Sequence, residues 1–343
     1  MSDGMDRRKF LKITSGTAAL GLMGCASLGR SAGKSGGVLP TRALGNTGQR
    51  VTMLAFGGGS ALSAVEDDND AVELIHYAFD SGIRYFDTGH NYGGGQSEIR
   101  YGMALNDRRD KIFLSSKFSP DGTKDETLFA IEESLRRLRT DHLDLGQMHG
   151  LTDMETPEKM LRKDGAVEAL REMQSQGVIK LVGITSHLHP PAIKKAMELE
   201  DFDNVICTMN AARHPFEFAY EEGQAPDAAF QDSVLTLAGQ KKMGISAIKV
   251  MGQRRLLGDG PGRAKPADLL RYTLSLPVTA AIVGMSRKSD VDQNIALVKD
   301  FKPMPAAEMK RMESAISYGP AALNLPYLRP GYVDDGHLDP YLA

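Results

Sequence analysis

The feature that most constrains the fold is a regular alternation of short apolar runs with longer stretches of helical period. In the helical stretches apolar residues recur at three and four positions, as in residues 71–80, 126–138, 167–176 and 191–199. This alternation, with no long block of either type, predicts parallel strands joined by right-handed crossovers. The apolar runs of strand length lie at residues 53–56, 85–88, 112–117, 144–149, 181–185, 205–209, 245–250 and 280–283.

Two architectures satisfy this alternation, a closed barrel and an open doubly wound sheet. The presence of eight strand–helix units favours the barrel. An open dinucleotide-binding sheet would also need a Gly-x-Gly-x-x-Gly turn after its first strand, and the run Gly57-Gly58-Gly59 does not have that spacing. We therefore predict an α/β fold, a (β/α)8 TIM barrel, over residues 39–320.

The segments on either side of the predicted barrel have a different composition. Residues 31–38 are rich in Gly, Ser and Lys, which is typical of a flexible linker. Residues 321–343 carry tyrosines among prolines and predict an irregular tail. The pattern does not decide whether this tail lies over the barrel mouth or packs against one side.

Residues 1–30 have the pattern of a targeting leader. Arg7, Arg8, Lys9 and Lys12 precede an uncharged stretch, residues 13–29, that is too short and too polar for a good transmembrane helix. The charged run resembles a twin-arginine signal, and Leu22-Met23-Gly24-Cys25 resembles a lipoprotein cleavage box. The expected location is therefore the bacterial periplasm, or the membrane surface if Cys25 is lipidated, although both matches also occur by chance.

Charge and cysteine content exclude several classes of protein. The chain has 41 basic and 44 acidic side chains, a net charge of -3, so it lacks the basic excess of a nucleic-acid-binding surface. Its two cysteines, Cys25 and Cys207, can form neither a disulfide framework nor a cysteine-based zinc or iron–sulfur site. The core must therefore be stabilised by packing.

Polar residues at the ends of three successive predicted strands mark a candidate active site. They are Asp87, Lys117 and His149, and Tyr92 follows Asp87 on the same loop. Because catalytic groups of such barrels lie at the carboxyl ends of strands, and buried charges need partners, we expect Asp87 and Lys117 to pair. A neighbouring ammonium favours tyrosinate, so we expect the pKa of Tyr92 to be lowered toward that of a general acid. Taken singly, each residue is as well explained by a turn, a strand end or a satisfied core position.

From Arg42 onward the chain resembles the aldo-keto reductase family. The residues that carry the resemblance are Arg42 to Gly48 with Val51, Ser97-Glu98 with Gly102 and Leu105, Ser134 to Leu138 with Thr140-Asp141 and Leu143 to Leu145, and the four candidates Asp87, Tyr92, Lys117 and His149. The resemblance implies that the first of these segments is a β-hairpin at the barrel bottom. It also implies reversible hydride transfer between NADP, or alternatively NAD, and a carbonyl or alcohol. Tyr92 would then act as proton donor, Lys117 held by Asp87 would tune it, and His149 would position the carbonyl.

The same resemblance assigns residues to the nicotinamide cofactor. Thr185 and Ser186 fall where the family binds the carboxamide, while Ile206 replaces the family's glutamine four residues before Asn210. Asp290 stands where many relatives carry an arginine for the 2′-phosphate, a role that Arg287 or Lys288 could take instead. The cofactor-binding residues expected from the resemblance are Thr185, Ser186, Asn210, Lys249, Met251, Gly252, Gly284, Met285, Ser286, Arg287 and Asn294.

Other interpretations stay open at the level of sequence. His187-x-His189 has no third ligand at a recognisable spacing, so we expect no metal site. A barrel lyase could use Lys117 as a Schiff-base nucleophile, and a non-catalytic barrel could bind nicotinamide without turnover. The expected partners are a small carbonyl substrate and the twin-arginine export machinery. The pattern does not identify the substrate or the oligomeric state.

Overall fold

Eight parallel strands form a closed barrel, as predicted. The computed structural model describes residues 38–213, 229–317, 319–328 and 332–334. A hairpin of β1 (Thr41–Ala43) and β2 (Arg50–Thr52) precedes the barrel. The barrel strands are β3 Leu54–Gly57, β4 Tyr85–Asp87, β5 Phe113–Phe118, β6 Leu143–Met148, β7 Ile179–Ser186, β8 Asn204–Thr208, β9 Gly244–Ile248 and β10 Ala280–Gly284.

Helices lie between the barrel strands, and their starts follow local capping chemistry. The side chain of Asp67 accepts hydrogen bonds from two backbone N–H groups at the start of the second helix, and Thr123 forms a capping box with Glu126 at the start of the fourth. The helices are α1 Ser60–Ser63, α2 Asp68–Asp80, α3 Gln96–Leu105, α4 Lys124–Leu138, α5 Thr156–Leu161, α6 Ala166–Ser175, α7 Pro190–Leu199, α8 Phe230–Gln240, α9 Pro266–Ser275, α10 Lys288–Lys299, α11 Ala306–Ile316 and α12 Pro320–Leu323.

Strand register brings the functional candidates to one rim. Asp87, the last residue of β4, pairs with Ser115 of β5, and Lys117 pairs with Gln147 of β6. The next residue after β6 is His149. Since all barrel strands are parallel, these side chains share the carboxyl-terminal face, which is the catalytic face of such barrels.

The β1–β2 hairpin closes the opposite face. The backbone N–H of Asn46 donates to the carbonyl of Lys242, just before β9 begins, so the hairpin lies at the amino-terminal ends of the strands. Leu44 is fully buried in the cluster that fills the lower barrel, together with Val51 and Tyr85. The sequence resemblance predicted this hairpin at the barrel bottom.

The described part of the C-terminal tail reaches the barrel mouth. Helix α12 is followed by a 3₁₀ turn at Pro326–Leu328, and Tyr327 is buried with its hydroxyl 2.8 Å from Asn210 Nδ2. Farther along, Asp334 contacts side chains at the carboxyl-terminal face. Of the two placements left open for the tail, these residues adopt the one over the mouth.

The predicted leader, residues 1–30, and most of the predicted linker lie outside the described residues. The twin-arginine and lipidation assignments therefore stay predictions. Within the ranges that the structure describes, no helix is long and apolar enough to cross a membrane.

Candidate active site

A buried ion pair forms the base of the site. Lys117 Nζ lies 2.6 Å from Asp87 Oδ2 and donates also to the Thr88 carbonyl at 2.6 Å, while Ser115 Oγ donates to Asp87 Oδ1 at 2.7 Å. Both charged side chains are almost fully buried. Burial of a charge costs free energy unless it is paired and hydrogen-bonded, so Asp87 and Lys117 hold each other in place.

Tyr92 lies against this pair. Its ring centroid is 4.6 Å from Lys117 Nζ, and the residue is 5% exposed. Tyr92 begins a 3₁₀ turn in which Gly93 and Gly94 have φ values of 59° and 64°, a left-handed conformation that glycine adopts without strain. The short turn points the phenol into the barrel mouth.

His149 completes the predicted group of four. Its ring meets that of Tyr92 edge-on, with centroids 5.5 Å apart. The structure thus brings Asp87, Tyr92, Lys117 and His149 together, as the strand-end pattern and the family resemblance predicted.

Asp334, which no sequence pattern indicated, occupies the centre of the mouth. Its Oδ2 accepts a hydrogen bond from the Tyr92 hydroxyl at 2.8 Å and lies 3.2 Å from His149 Nε2 and 3.1 Å from His187 Nε2. Its Oδ1 lies 2.8 Å from Lys249 Nζ and accepts from the Tyr332 hydroxyl at 2.9 Å. One tail carboxylate therefore contacts both the candidate proton donor and the candidate positioning histidine.

This carboxylate reverses an expectation about Tyr92. Burial raises the pKa of the Tyr92 phenol well above its ordinary value, and the negative charges of Asp334 and Asp87 raise it further. The prediction that Lys117 lowers this pKa is wrong for the arrangement described here. The reason is that Lys117 is neutralised by Asp87, while the negatively charged Asp334 contacts the phenol directly.

Asp334 and the groups around it have shifted pKa values. Although burial by itself would raise the pKa of Asp334, the ammonium of Lys249 and the neighbouring histidines hold it well below the ordinary value. Burial lowers the pKa of Lys249 less than Asp334 and Tyr332 raise it, so Lys249 stays protonated. Burial lowers the pKa of His187 to about 4, so this ring is neutral at pH 7.

His149, His187 and Asp334 also form a group whose ligand atoms all lie within 4.8 Å of one another, a spacing that could hold a metal ion. The sequence motif His187-x-His189 predicts no metal site because it has no third ligand at a recognisable spacing, and Asp334 supplies one. Two features oppose a cation here: Lys249 Nζ lies 2.8 Å from the same carboxylate, and Oδ2 already accepts from Tyr92. The surroundings are those of an anion held by donors.

A cleft of about 300 Å³ extends from Tyr92 and Asp87 toward the start of α10. Six of the predicted cofactor-binding residues line it: Lys249, Met251, Gly284, Ser286, Arg287 and Asn294. Five others do not: Thr185, Ser186, Asn210, Gly252 and Met285. Residues of the lining that the sequence analysis did not assign to the cofactor include Gly57, Gln253, Arg254 and Asp334.

The two expected carboxamide ligands, Thr185 and Ser186, and the expected cofactor-binding residue Asn210 are hydrogen-bonded within the protein. Thr185 Oγ1 accepts from the Gly150 N–H, and Ser186 Oγ donates to the Leu151 carbonyl. Asn210 Nδ2 donates to the Lys249 carbonyl at 2.9 Å. In this arrangement these side chains stabilise the loops after β6 and β9 rather than face the cleft.

The far end of the cleft carries an acidic side chain beside a basic one. Asp290 Oδ2 accepts from the backbone N–H groups of Ser286 and Arg287, and Asp290 Oδ1 accepts from the Arg287 guanidinium at 3.2 Å. Asp290 thus occupies the N–H groups at the start of α10 that would otherwise suit a phosphate. Lys288 points away, to Glu73 on α2.

Comparisons with known proteins agree with the barrel fold. The sequence model of a family described as "Aldo/keto reductase family" matches residues 53–226. L-galactose dehydrogenase from Arabidopsis thaliana is 26% identical in an alignment of 299 positions that covers 77% of this chain and 89% of that protein. The fold resembles an aldo-keto reductase from Bacillus halodurans in its holo form, with a TM-score of 0.67 and 23% identity, over 81% of this chain and 96% of that one. It also resembles one from Klebsiella pneumoniae in complex with NADPH, with a TM-score of 0.64 and 19% identity, over 82% of this chain and 96% of that one.

Proposed function

The chain belongs to the aldo/keto reductase family, and from this premise we propose that it transfers hydride reversibly between NAD(P)(H) and a carbonyl or alcohol, with Tyr92 as general acid and base. A NAD(P)H-dependent carbonyl oxidoreductase is the activity that family membership supports. The observation that carries the finer proposal is the meeting of Tyr92, His149 and the Asp87–Lys117 pair at the inner end of a cleft.

The proposed role of each residue follows from its position. In the reducing direction the Tyr92 hydroxyl gives its proton to the carbonyl oxygen, and His149 Nε2 orients that oxygen. Lys117, fixed by Asp87, lies 4.6 Å from the Tyr92 ring centroid, and its ammonium offsets part of the negative charge of Asp87 and of the tyrosinate that forms. NAD(P)H supplies the hydride when it is bound.

The lining of the cleft supports the binding of such a cofactor. Its inner end adjoins Tyr92 and its outer end reaches Ser286, Arg287 and Asn294 at the start of α10. Asp290 occupies the N–H groups of that helix start, so a phosphate there would be bound by the Arg287 guanidinium in place of Asp290. These residues would hold the adenosine end, with Met251 beside the middle of the cofactor and Lys249 nearer its nicotinamide end.

Other functions receive less support. A Schiff-base lyase needs a neutral Lys117, yet the Lys117 side chain is 1% exposed and its Nζ donates to the Asp87 carboxylate and the Thr88 carbonyl. A non-catalytic nicotinamide-binding barrel would not need four convergent polar groups at the mouth. We therefore favour the reductase.

The substitution Tyr92→Phe tests this proposal. It removes only the proton donor, so kcat/KM for carbonyl reduction should fall by about 10²–10⁴-fold, while the Kd of NADPH stays within threefold of the wild-type value. A panel of aldehydes, ketones and 2-oxo acids should be used. The control is Tyr77→Phe, because the Tyr77 hydroxyl lies outside the mouth and bonds Asp292. Turnover of Tyr92→Phe within tenfold of wild type on every active substrate would refute the assignment.

A further inference from the structure

The carboxylate of Asp334 lies in the position that the proposed reaction gives to its substrate. Oδ2 is 2.8 Å from the Tyr92 hydroxyl and 3.2 Å from His149 Nε2. These are the two groups that would donate to a carbonyl oxygen during reduction. The inner oxygen of Asp334 therefore lies where the reacting oxygen must lie.

The second oxygen of Asp334 has its own binding groups. Oδ1 lies 2.8 Å from Lys249 Nζ and accepts from Tyr332, whose hydroxyl in turn accepts from Gln253 Nε2 at 3.0 Å. Lys249 belongs to the barrel, on the residue after β9, whereas Tyr332 belongs to the same tail as Asp334. A ligand that replaces Asp334 thus meets a fixed ammonium next to the site of hydride transfer.

The charges of the mouth require an anion there. Lys117 is neutralised by Asp87. Within the described ranges, Asp334 supplies the only carboxylate oxygen within ion-pair distance of Lys249. His187 is neutral, since burial lowers its pKa to about 4. Without the Asp334 side chain, the mouth retains one buried, uncompensated positive charge, which is costly.

His187 supports the same conclusion. The residue is 5% exposed, and Nε2 lies 3.1 Å from Asp334 Oδ2 but off the direction that a hydrogen bond requires. Among the residues that the structure describes, neither ring nitrogen therefore has a well-directed hydrogen-bond partner. A buried polar group without a partner is unusual in a native protein, and it indicates that a ligand with a slightly different shape completes the site.

We propose that the barrel mouth binds a 2-oxo carboxylate or the matching 2-hydroxy acid, with Lys249 as the residue that recognises the carboxylate and Asp334 as an internal competitor. This inference rests on the proposed function. The ketone oxygen would contact Tyr92 and His149, and the carboxylate would contact Lys249 and His187. In reduction, C2 accepts the hydride from NAD(P)H, the ketone oxygen accepts the Tyr92 proton, solvent returns a proton to Tyr92, and the carboxylate is unchanged.

Paired substrates measure the role of the negative charge. Benzoylformate and its methyl ester share one ketone, as do pyruvate and methyl pyruvate, and each pair differs in a single charge. In an Asp334→Ala background, kcat/KM for the acid should exceed that for the ester by at least tenfold. Adding Lys249→Met should lower this ratio by about 10–100-fold, the effect of losing a charge-assisted hydrogen bond. Lys180→Met is the control, because Lys180 pairs with Asp144 at the other end of the barrel and should leave the ratio unchanged.

A binding measurement gives a readout without turnover. Oxamate, a non-reducible analogue, should bind Asp334→Ala at least tenfold more tightly than wild type by calorimetry, with and without NADP+. The Lys249→Met substitution in the same background should abolish that gain. Circular dichroism of each variant verifies that it is folded.

The outcomes separate this inference from the proposed function. Equal kcat/KM for acid and ester, unaffected by Lys249→Met, would overturn the inference while the Tyr92→Phe result still supports a reductase. If no carbonyl is turned over, the proposed function fails, yet Lys249-dependent oxamate binding would still support the anion site. Loss of all activity in Asp334→Ala would make Asp334 part of the machinery and overturn the inference. Stoichiometric bound metal that disappears in Asp334→Ala would overturn it as well.

Discussion

Replacing Lys117 by Met should destabilise the fold as well as abolish catalysis. The substitution keeps the length of the side chain but leaves the Asp87 carboxylate, 3% exposed, with the Ser115 hydroxyl as its remaining side-chain partner. An uncompensated buried charge created in this way costs about 3–5 kcal/mol of unfolding free energy. Asp87→Asn should cost a similar amount, because it leaves the ammonium unpaired.

A double-mutant cycle isolates the pair. Combining Asp87→Asn with Lys117→Met removes both charges, so the double variant should be no less stable than either single variant. Urea unfolding followed by circular dichroism at 222 nm is the suitable assay, because the chain has no tryptophan to report by fluorescence.

A partly exposed lysine with a fully exposed partner provides the matched control. Lys241 pairs with Asp201, whose side chain is 96% exposed, so Lys241→Met should cost far less than Lys117→Met. If the two Lys→Met substitutions have equal effects on the unfolding free energy, or if the two effects in the Asp87–Lys117 cycle are additive, the buried pair does not have the energetic role assigned to it here.

Two further predictions concern the cleft and the mouth. Asp290→Asn frees Arg287 and removes a negative charge, so the ratio of kcat/KM for NADPH over NADH should rise about tenfold. Arg287→Ala should lower the same ratio. Equal changes for both cofactors would contradict a role of Arg287 in binding the 2′-phosphate. The folded-state pKa of His187 is about 4, below its unfolded value, so the unfolded chain binds a proton at a higher pH than the folded chain does. The free energy of unfolding should therefore fall by roughly 3 kcal/mol as the pH drops from 6.5 to 4. Urea unfolding at several pH values should show a smaller loss of unfolding free energy in His187→Asn. Asp334, Lys249 and His149 also face this ring, so an unchanged dependence of the unfolding free energy on pH would assign the loss to those three residues.

The barrel and the four residues of its rim could be predicted because both depend on local patterns. Apolar runs of strand length fix where each strand ends, and parallel pairing then brings Asp87, Lys117 and His149 to one face. Tyr92 follows from its place on the loop after β4. Strand ends differ slightly from the prediction: β7 begins at Ile179, whereas the apolar run begins at residue 181. The exposed Lys180 interrupts the apolar run but does not interrupt the strand.

The position of Asp334 could not be predicted in the same way. The sequence of the tail does not indicate which part of the barrel the tail contacts, because this contact depends on the packing of residues far apart in the chain. The sequence also could not show that Ser186 and Asn210 are hydrogen-bonded by nearby backbone groups. The expected pKa of Tyr92 was wrong for the same reason, because it omitted a charge that arrives from the tail.

The closure of the barrel between β10 and β3 has a consequence for how the chain acquires its structure. Ala281 pairs with Leu54, and the Arg42 guanidinium bonds the carbonyls of Leu274 and Val278, 232 and 236 residues away. Forming contacts between residues so far apart in sequence costs much chain entropy before the contacts stabilise the fold. Folding should therefore be slow and should finish only after synthesis of the last strand. Until then β3 and β9 have unpaired edges, which are templates for aggregation. The incomplete sheet therefore stays open to wrong pairing until residue 284 has joined it.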